Sequence, residues 1–231
     1  MERIEYLKKE LENYIEEEKS KFLPKFFHAY PGGYGEGDKF LGIRVPYLRK
    51  IAKKYRNLTF EEIEKLLKSE YHEHRLTAVF ILIHKFKEDS EKVVNIYLRN
   101  IDKINNWDLV DSSAPHILGQ YLNNKDRQIL YEFAKSNNLW RQRIAIIATH
   151  YFIKKNDFKD AISIAEILIN HKHDLIHKAV GWTLREIGKR DKNLEIEFLK
   201  RYYKVMPRTM LRYAIEKFPE NERKNFLRGE F

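Results

Sequence analysis

The chain has 231 residues, 44 Lys and Arg against 34 Asp and Glu, a formal net charge of +10 and no cysteine. Without cysteine there are no disulfides, thiolate nucleophiles or cysteine-ligated metals. Hydrophobic content of 43% suffices for a packed core, so wholesale disorder is excluded. No apolar run approaches the roughly 18 residues of a membrane span, and no signal-peptide pattern opens the chain, so a cytoplasmic protein is expected, nucleoid-associated in a prokaryote. The basic excess fits a polyanionic partner such as nucleic acid, or simply a lysine-rich solvated surface.

The start, Met1-Glu2-Arg3-Ile4-Glu5-Tyr6-Leu7, is charged and amphipathic and reads as a helix. Pro31-Gly32-Gly33-Tyr34-Gly35-Glu36-Gly37-Asp38-Lys39 follows, holding four of the nine glycines. It lacks the Gly-Lys-Ser/Thr ending of a phosphate-binding loop and follows no strand. A structural turn, or a loop against nucleic-acid backbone, fits better. Pro46 predicts the start of a helix running to about Tyr55. Apolar residues at 60, 63, 66 and 67, then at Leu76, Val79, Phe80, Ile83 and Phe86, carry helical periodicity. Residues 159–170 are apolar broadly enough for a mostly buried helix. No alternating strand pattern is found.

Small residues recur at Ala78, Ser112, Ala145, Ala179 and Ala214, at intervals of 34, 33, 34 and 35. A helix, a turn and a second helix fill such a period. The expected fold is all-α: a superhelical solenoid of HEAT-like antiparallel helix pairs in one domain over 1–231. Residues 1–58 would supply N-terminal helices with the glycine-rich loop, and 59–220 the repeats. The second helices would line a concave face.

Asn105-Asn106-Trp107-Asp108-Leu109-Val110-Asp111 places an indole and a carboxylate at i and i+4, on one face of a helix whose start the asparagines can cap. Asp111 has two readings. One is an acid that stabilises an oxocarbenium-like sugar or activates water. The other is a helix-start acid paired with Arg143 for stability. Asp108, nearer the helix start, reads as a dipole or capping acid. Trp107, Trp140 and Trp182 read either as packing or, flanked by Arg and Lys, as faces for sugars, bases and cations. Arg143 is suited to a bidentate phosphate contact or to an ion pair. His72 and His74, at i and i+2, share no helical face. His173 and His177, at i and i+4, lack the glutamate of a His-Glu-x-x-His motif. Solvated or capping histidines, and no metal, are expected.

Four stretches in order resemble the AlkD-type DNA alkylation repair family, the HEAT-like-repeat DNA glycosylases. They are Phe40-Leu41-Gly42-Ile43 with Pro46, Asn106-Trp107-Asp108-Leu109-Val110-Asp111, Leu139-Trp140-Arg141-Gln142-Arg143-Ile144-Ala145-Ile146, and Lys178-Ala179-Val180-Gly181-Trp182-Thr183-Leu184-Arg185-Glu186. The resemblance implies hydrolysis of the N-glycosidic bond of cationic alkylated purines, such as 3-methyladenine and 7-methylguanine, in duplex DNA. It implies no cofactor, and the expected protein is a monomer with no membrane partner. By resemblance, Asp111 matches the catalytic aspartate, Trp107 and Trp182 the tryptophans at the lesion, and Arg143 the arginine at the DNA backbone. Arg141, Lys178, Arg185, Arg208, Arg212 and Tyr34 are further expected DNA contacts. The family's archetype also has an aromatic contact from its N-terminal helices, to which no residue is matched; Phe27, Tyr30 and Tyr34 stand in that neighbourhood. A non-catalytic binder of damaged or branched DNA, and a protein-binding solenoid, are the rival expectations.

Overall fold

The computed structural model describes residues 3–231; Met1 and Glu2, which head the amphipathic start, lie outside the described residues. The named elements are all helical, and the isolated Lys39–Tyr71 bridge is the β pairing among the described residues. The helices divide into two units, Met1–Ile117 and Leu118–Phe231. Among the described residues no helix is long and apolar enough to cross a membrane.

The first unit contains α1 (Arg3–Glu12), α2 (Glu17–Phe26), α3 (Val45–Lys54), α4 (Phe60–Leu67), α5 (His72–Lys85), α6 (Ser90–Arg99) and α7 (Trp107–Ser113). Their starts follow from local chemistry. Pro46 occupies the first turn of α3, where its missing N–H is no loss. Thr59 and Glu62 form a reciprocal capping box on α4, and that helix buries Phe60, Ile63, Leu66 and Leu67, the positions its periodicity predicts. Asp89 caps α6 through the Lys92 N–H. The central element is α5, which packs on α3, α4 and α7 and is buried from His72 through Leu82. Among the described residues, α2 is the one of these helices that contributes no buried side chain.

The second unit contains α8 (Gln128–Lys135), α9 (Leu139–Ala148), α10 (His150–Ile153), α11 (Lys159–Leu168), α12 (Asp174–Gly188), α13 (Lys192–Tyr202), α14 (Arg208–Ala214) and α15 (Glu220–Arg228). Here α12 packs on α9, α11, α13 and α14. The repeat of small residues falls on the second helix of each pair. Ala78 in α5, Ala145 in α9, Ala179 in α12 and Ala214 in α14 are all fully buried. The register slips by one residue in α7. Ser112 is only half-buried, whereas Ser113 is sealed in. The Ser113 hydroxyl lies 2.9 Å from the Tyr97 hydroxyl and donates to the Leu109 carbonyl at 2.6 Å, which satisfies a polar group that burial would otherwise leave unpaired.

In the second unit a glycine permits α12 and α14 to approach closely at Gly181. A Cβ there would lie 2.4 Å from the Met210 carbonyl oxygen and 2.5 Å from Tyr213 Cβ. Backbone cannot yield as a side-chain tip does, so α12 and α14 would have to separate. Gly181→Ala is expected to destabilise the protein by about 1–3 kcal/mol. Thermal denaturation checks this: an unchanged Tm would mean that the contact is slack.

Candidate functional site

The start of α7 is built around Asn106, which is fully buried. Its Oδ1 accepts the Trp107 N–H at 2.9 Å, and its Nδ2 donates to the Phe27 carbonyl at 3.4 Å. One side chain thus caps α7 and ties it to the end of α2. The glycine loop comes close enough for this only because Gly35 has no side chain; a Cβ there would sit 2.9 Å from Asn106 Nδ2 and 2.4 Å from the Phe27 carbonyl oxygen. Trp107, at the first position of α7, stacks on Phe27 with centroids 5.4 Å apart and meets the edge of Phe26 at 6.0 Å. Asp111 follows one turn later and is half-buried.

Trp107, Asp108, Asp111 and Ser112 line one cavity of about 620 Å³ within the first unit. Phe22, Leu23, Phe26, Phe27, Ile43, Leu48 and Leu76 give it mostly apolar walls, and Lys19 and Arg44 also line it. Phe22 and Phe26 on α2 are 56% and 47% exposed, so two aromatic rings at this cavity remain open to solvent. A flat apolar wall beside a carboxylate is a setting in which a cationic ring is favoured on two counts, by ring faces and by charge.

Beneath the rings lies a polar cluster. His72 Nε2 is 2.8 Å from Asp108 Oδ2, and its Nδ1 is 3.4 Å from Asp38 Oδ2. Arg75 pairs with Asp38 at 2.7 Å, and Asn105 Nδ2 donates to Asp38 Oδ1 at 3.1 Å. Burial by itself would lower the His72 pKa, but the Asp108 charge and the hydrogen bonds to Asp108 and Asp38 overcome it and raise the value to about 9. Burial opposes ionisation of Asp38 too, yet the contacts with His72, Arg75 and Asn105 hold its pKa below the ordinary carboxylate value. The histidine expectation is therefore overturned at His72, which is neither solvated nor a cap but a buried partner of two carboxylates. No local sequence signal marked it, because Asp38, His72, Arg75 and Asp108 lie up to 70 residues apart. His173 does cap, accepting the Leu175 N–H at 3.1 Å.

A cavity of about 630 Å³ beside α1 contains Ser69 and His74. Ser69 Oγ lies 2.9 Å from His74 Nδ1 and also accepts the Tyr71 N–H. This is turn chemistry, and burial lowers the His74 pKa to about 4.

The remaining expected residues fall as follows. Tyr34 is half-buried and stacks on His28 at 4.5 Å. In the second unit Arg143 is 5% exposed and donates to the Leu175 carbonyl. Arg141 lies over the Phe133 ring. Lys178 pairs with Asp174 at 2.6 Å. Arg185 pairs with Glu216. Arg208 donates to the Leu227 carbonyl at 2.8 Å, and Arg212 is exposed. Trp182 is half-buried, its indole N–H donating to Glu186 at 3.0 Å and its ring edge-on to His150 at 4.6 Å. Trp107 and Asp111 are thus brought together in the first unit, while Arg143, Trp182 and the other basic residues belong to the second. Phe22, Phe26 and His72 are site residues that sequence reasoning missed. The i, i+4 spacing of Phe22 and Phe26 was the available signal for the first two.

The profile of a family described as DNA alkylation repair enzyme matches residues 7–218. Among solved structures, a protein of Enterococcus faecalis described as a predicted DNA alkylation repair enzyme shares the fold with a TM-score of 0.74 at 17% identity, over 89% of this chain and 97% of that one. AlkD2 of Streptococcus mutans gives 0.55 at 23% identity, over 88% and 98%. A Streptococcus mutans UA159 protein, smu.31, gives 0.55 at 20% identity, over 95% and 100%. These likenesses establish the fold. No curated protein matches the sequence.

In the second unit Glu195 is buried, and its Oε1 has no hydrogen-bond partner among the described residues. Burial raises its pKa from 4.5 to about 8, against the lowering charges of Lys192 and Arg185. A folded-state pKa above the unfolded value means stability that is complete below about pH 4.5 and lost as pH rises through about 8. Glu195→Gln removes the titration. Its melting temperature is expected to match wild type near pH 4 and to exceed it above pH 8, and parallel melts across that range would refute the assignment.

Proposed function

The chain belongs to the DNA alkylation repair enzyme family, and on that footing we propose that it is a DNA glycosylase hydrolysing the N-glycosidic bond of cationic alkylated purines, of the 3-methyladenine and 7-methylguanine type, in duplex DNA. The observation that carries this reading is the placement of Asp111. Its carboxylate is half-buried on the first turns of α7 and lines the same cavity as the Trp107 indole.

An alkylated purine that bears positive charge is already a good leaving group. As its bond to C1′ breaks, the electron pair departs with the base and neutralises it, and positive charge moves to the sugar. The Asp111 carboxylate stabilises that charge, and the Trp107 face adds a cation–π contribution. Water then adds to C1′ and loses a proton, leaving an abasic sugar and a free neutral base. A normal purine, without positive charge, gains neither advantage. The formal excess of ten positive charges favours the DNA polyanion. In this reading Trp182 keeps the lesion contact and Arg143 the backbone contact that the resemblance gives them, and Arg141, Lys178, Arg185, Arg208, Arg212 and Tyr34 are further DNA contacts. A monomer acting without cofactor is the working form.

Chromatography of bases freed from methylated duplex DNA tests the reading. Asp111→Asn is expected to reduce release about 10²- to 10³-fold while DNA binding persists. Wild-type protein that frees no methylated base, and so matches Asp111→Asn, would instead support a non-catalytic DNA binder. Arg212→Glu is expected to weaken binding uniformly across sequences and to reduce the salt slope by about one. A filter-binding titration in increasing salt reads that slope.

A further inference from the structure

The Trp182 indole makes two directional contacts within the second unit, one through its N–H and one with a ring set perpendicular to it. We propose that Glu186 and His150 are positioning residues that fix the orientation of the Trp182 ring, so that its face rather than its edge meets the cationic nucleotide. The inference rests on the glycosylase reading above, in which Trp182 keeps the lesion contact.

An indole has a negative face and a positive edge, so a cation is attracted to one and opposed by the other. A half-buried tryptophan turned through a right angle would therefore hinder what it should favour. Two groups prevent the turn. Glu186 lies one helical turn after Trp182 on α12, and helical side chains lean back toward the N-terminus, which brings its carboxylate to the indole. Its Oε1 accepts the indole N–H at 3.0 Å and the Lys189 ammonium at 2.6 Å. Burial opposes ionisation of Glu186, but the Lys189 and Trp182 contacts hold its pKa below the ordinary carboxylate value, so the bond to the indole is charge-assisted. His150 comes from α10, which packs on α12. It is buried, and its ring stands at 88° to the indole with centroids 4.6 Å apart. The fully buried Thr183, next to Trp182 in the chain, locks it. The Thr183 hydroxyl donates to the Ala179 carbonyl at 2.9 Å and accepts the His150 Nε2–H at 2.9 Å. Burial pushes the His150 pKa down to about 3, so the imidazole is neutral and adds no charge against a cationic purine. Rotation of the indole about either side-chain torsion breaks one of the two contacts.

NMR and base release on the full chain test it. The indole N–H resonance of Trp182 is the one lost in Trp182→Phe. In Glu186→Leu its exchange with water should quicken about 10- to 100-fold, the loss of a charge-assisted bond. Glu186→Gln, which keeps an acceptor oxygen, should stay nearer wild type. The heteronuclear NOE of the same N–H, which reads ring motion, should fall in Glu186→Leu and in His150→Gln, whose amide can still donate to Thr183. Unchanged exchange in Glu186→Leu, or an unchanged NOE in either variant, overturns the proposal. In single-turnover base release, Glu186→Leu should slow the reaction about 10- to 100-fold without loss of DNA affinity, and Glu186→Gln should recover most of that rate. A wild-type rate in Glu186→Leu, or no recovery in Glu186→Gln, overturns it as well. The NMR measurements do not depend on base release. They judge the hold on Trp182 even where wild-type protein frees no base, the result that counts against the glycosylase reading instead.

Discussion

A buried chain of carboxylate, imidazole and carboxylate is the constraint on which the site depends. Asp38, His72 and Asp108 come from a loop, from α5 and from α7, and nothing in local sequence brings them together. Burying such groups singly is costly, and removing one partner leaves the others uncompensated. The cluster is therefore all-or-none. When it forms, it fixes the glycine loop against the first turn of α7. The rings of Phe27 and Phe40 cover it, and Trp107 rests on Phe27. Position of the indole, and of Asp111 one turn on, follows from that stack.

The helical scaffold supplies the rigidity that such a cluster requires. Buried small residues in the second helices let neighbours approach closely, and α5 is enclosed along most of its length. The site departs from the regular packing in two places. In α7 the buried small position moves from Ser112 to Ser113, which leaves Ser112 in the cavity lining. In α2 no side chain is buried, so Phe22 and Phe26 remain available at the cavity. Local irregularity and the candidate site coincide here, as expected where a site must violate the packing that the rest of the chain obeys.

The basic residues carry a different lesson. Many of the cations of the second unit engage an acid or a carbonyl: Arg185 with Glu216, Lys178 with Asp174, Arg143 with the Leu175 carbonyl. A DNA phosphate meeting them would exchange one partner for another. The net charge would still attract a polyanion, but the individual contacts proposed for these residues would be exchanges, each of smaller net value than a contact by an unpaired cation.

Much of the fold was legible in the sequence. Helical periodicity, Pro46 and the spacing of small residues gave the helices and their pairing, because these are properties of the sequence pattern itself. Trp107 and Asp111 were legible as a pair for the same reason: the i, i+4 spacing is a local fact of helix geometry. Asn106 as the cap of α7 belongs with them. His72 was not legible. Its partners lie 34 residues before it and 36 after, and its spacing from His74 pointed to solvent. Nor was Phe26 distinguishable from its neighbour Phe27; the turn after α2, with His28 at a φ of 52°, leaves the first ring exposed and the second buried. Periodicity records which face of a helix is apolar, whereas the pairing of charges and the order in which rings stack are settled only when distant segments close on one another and exclude water.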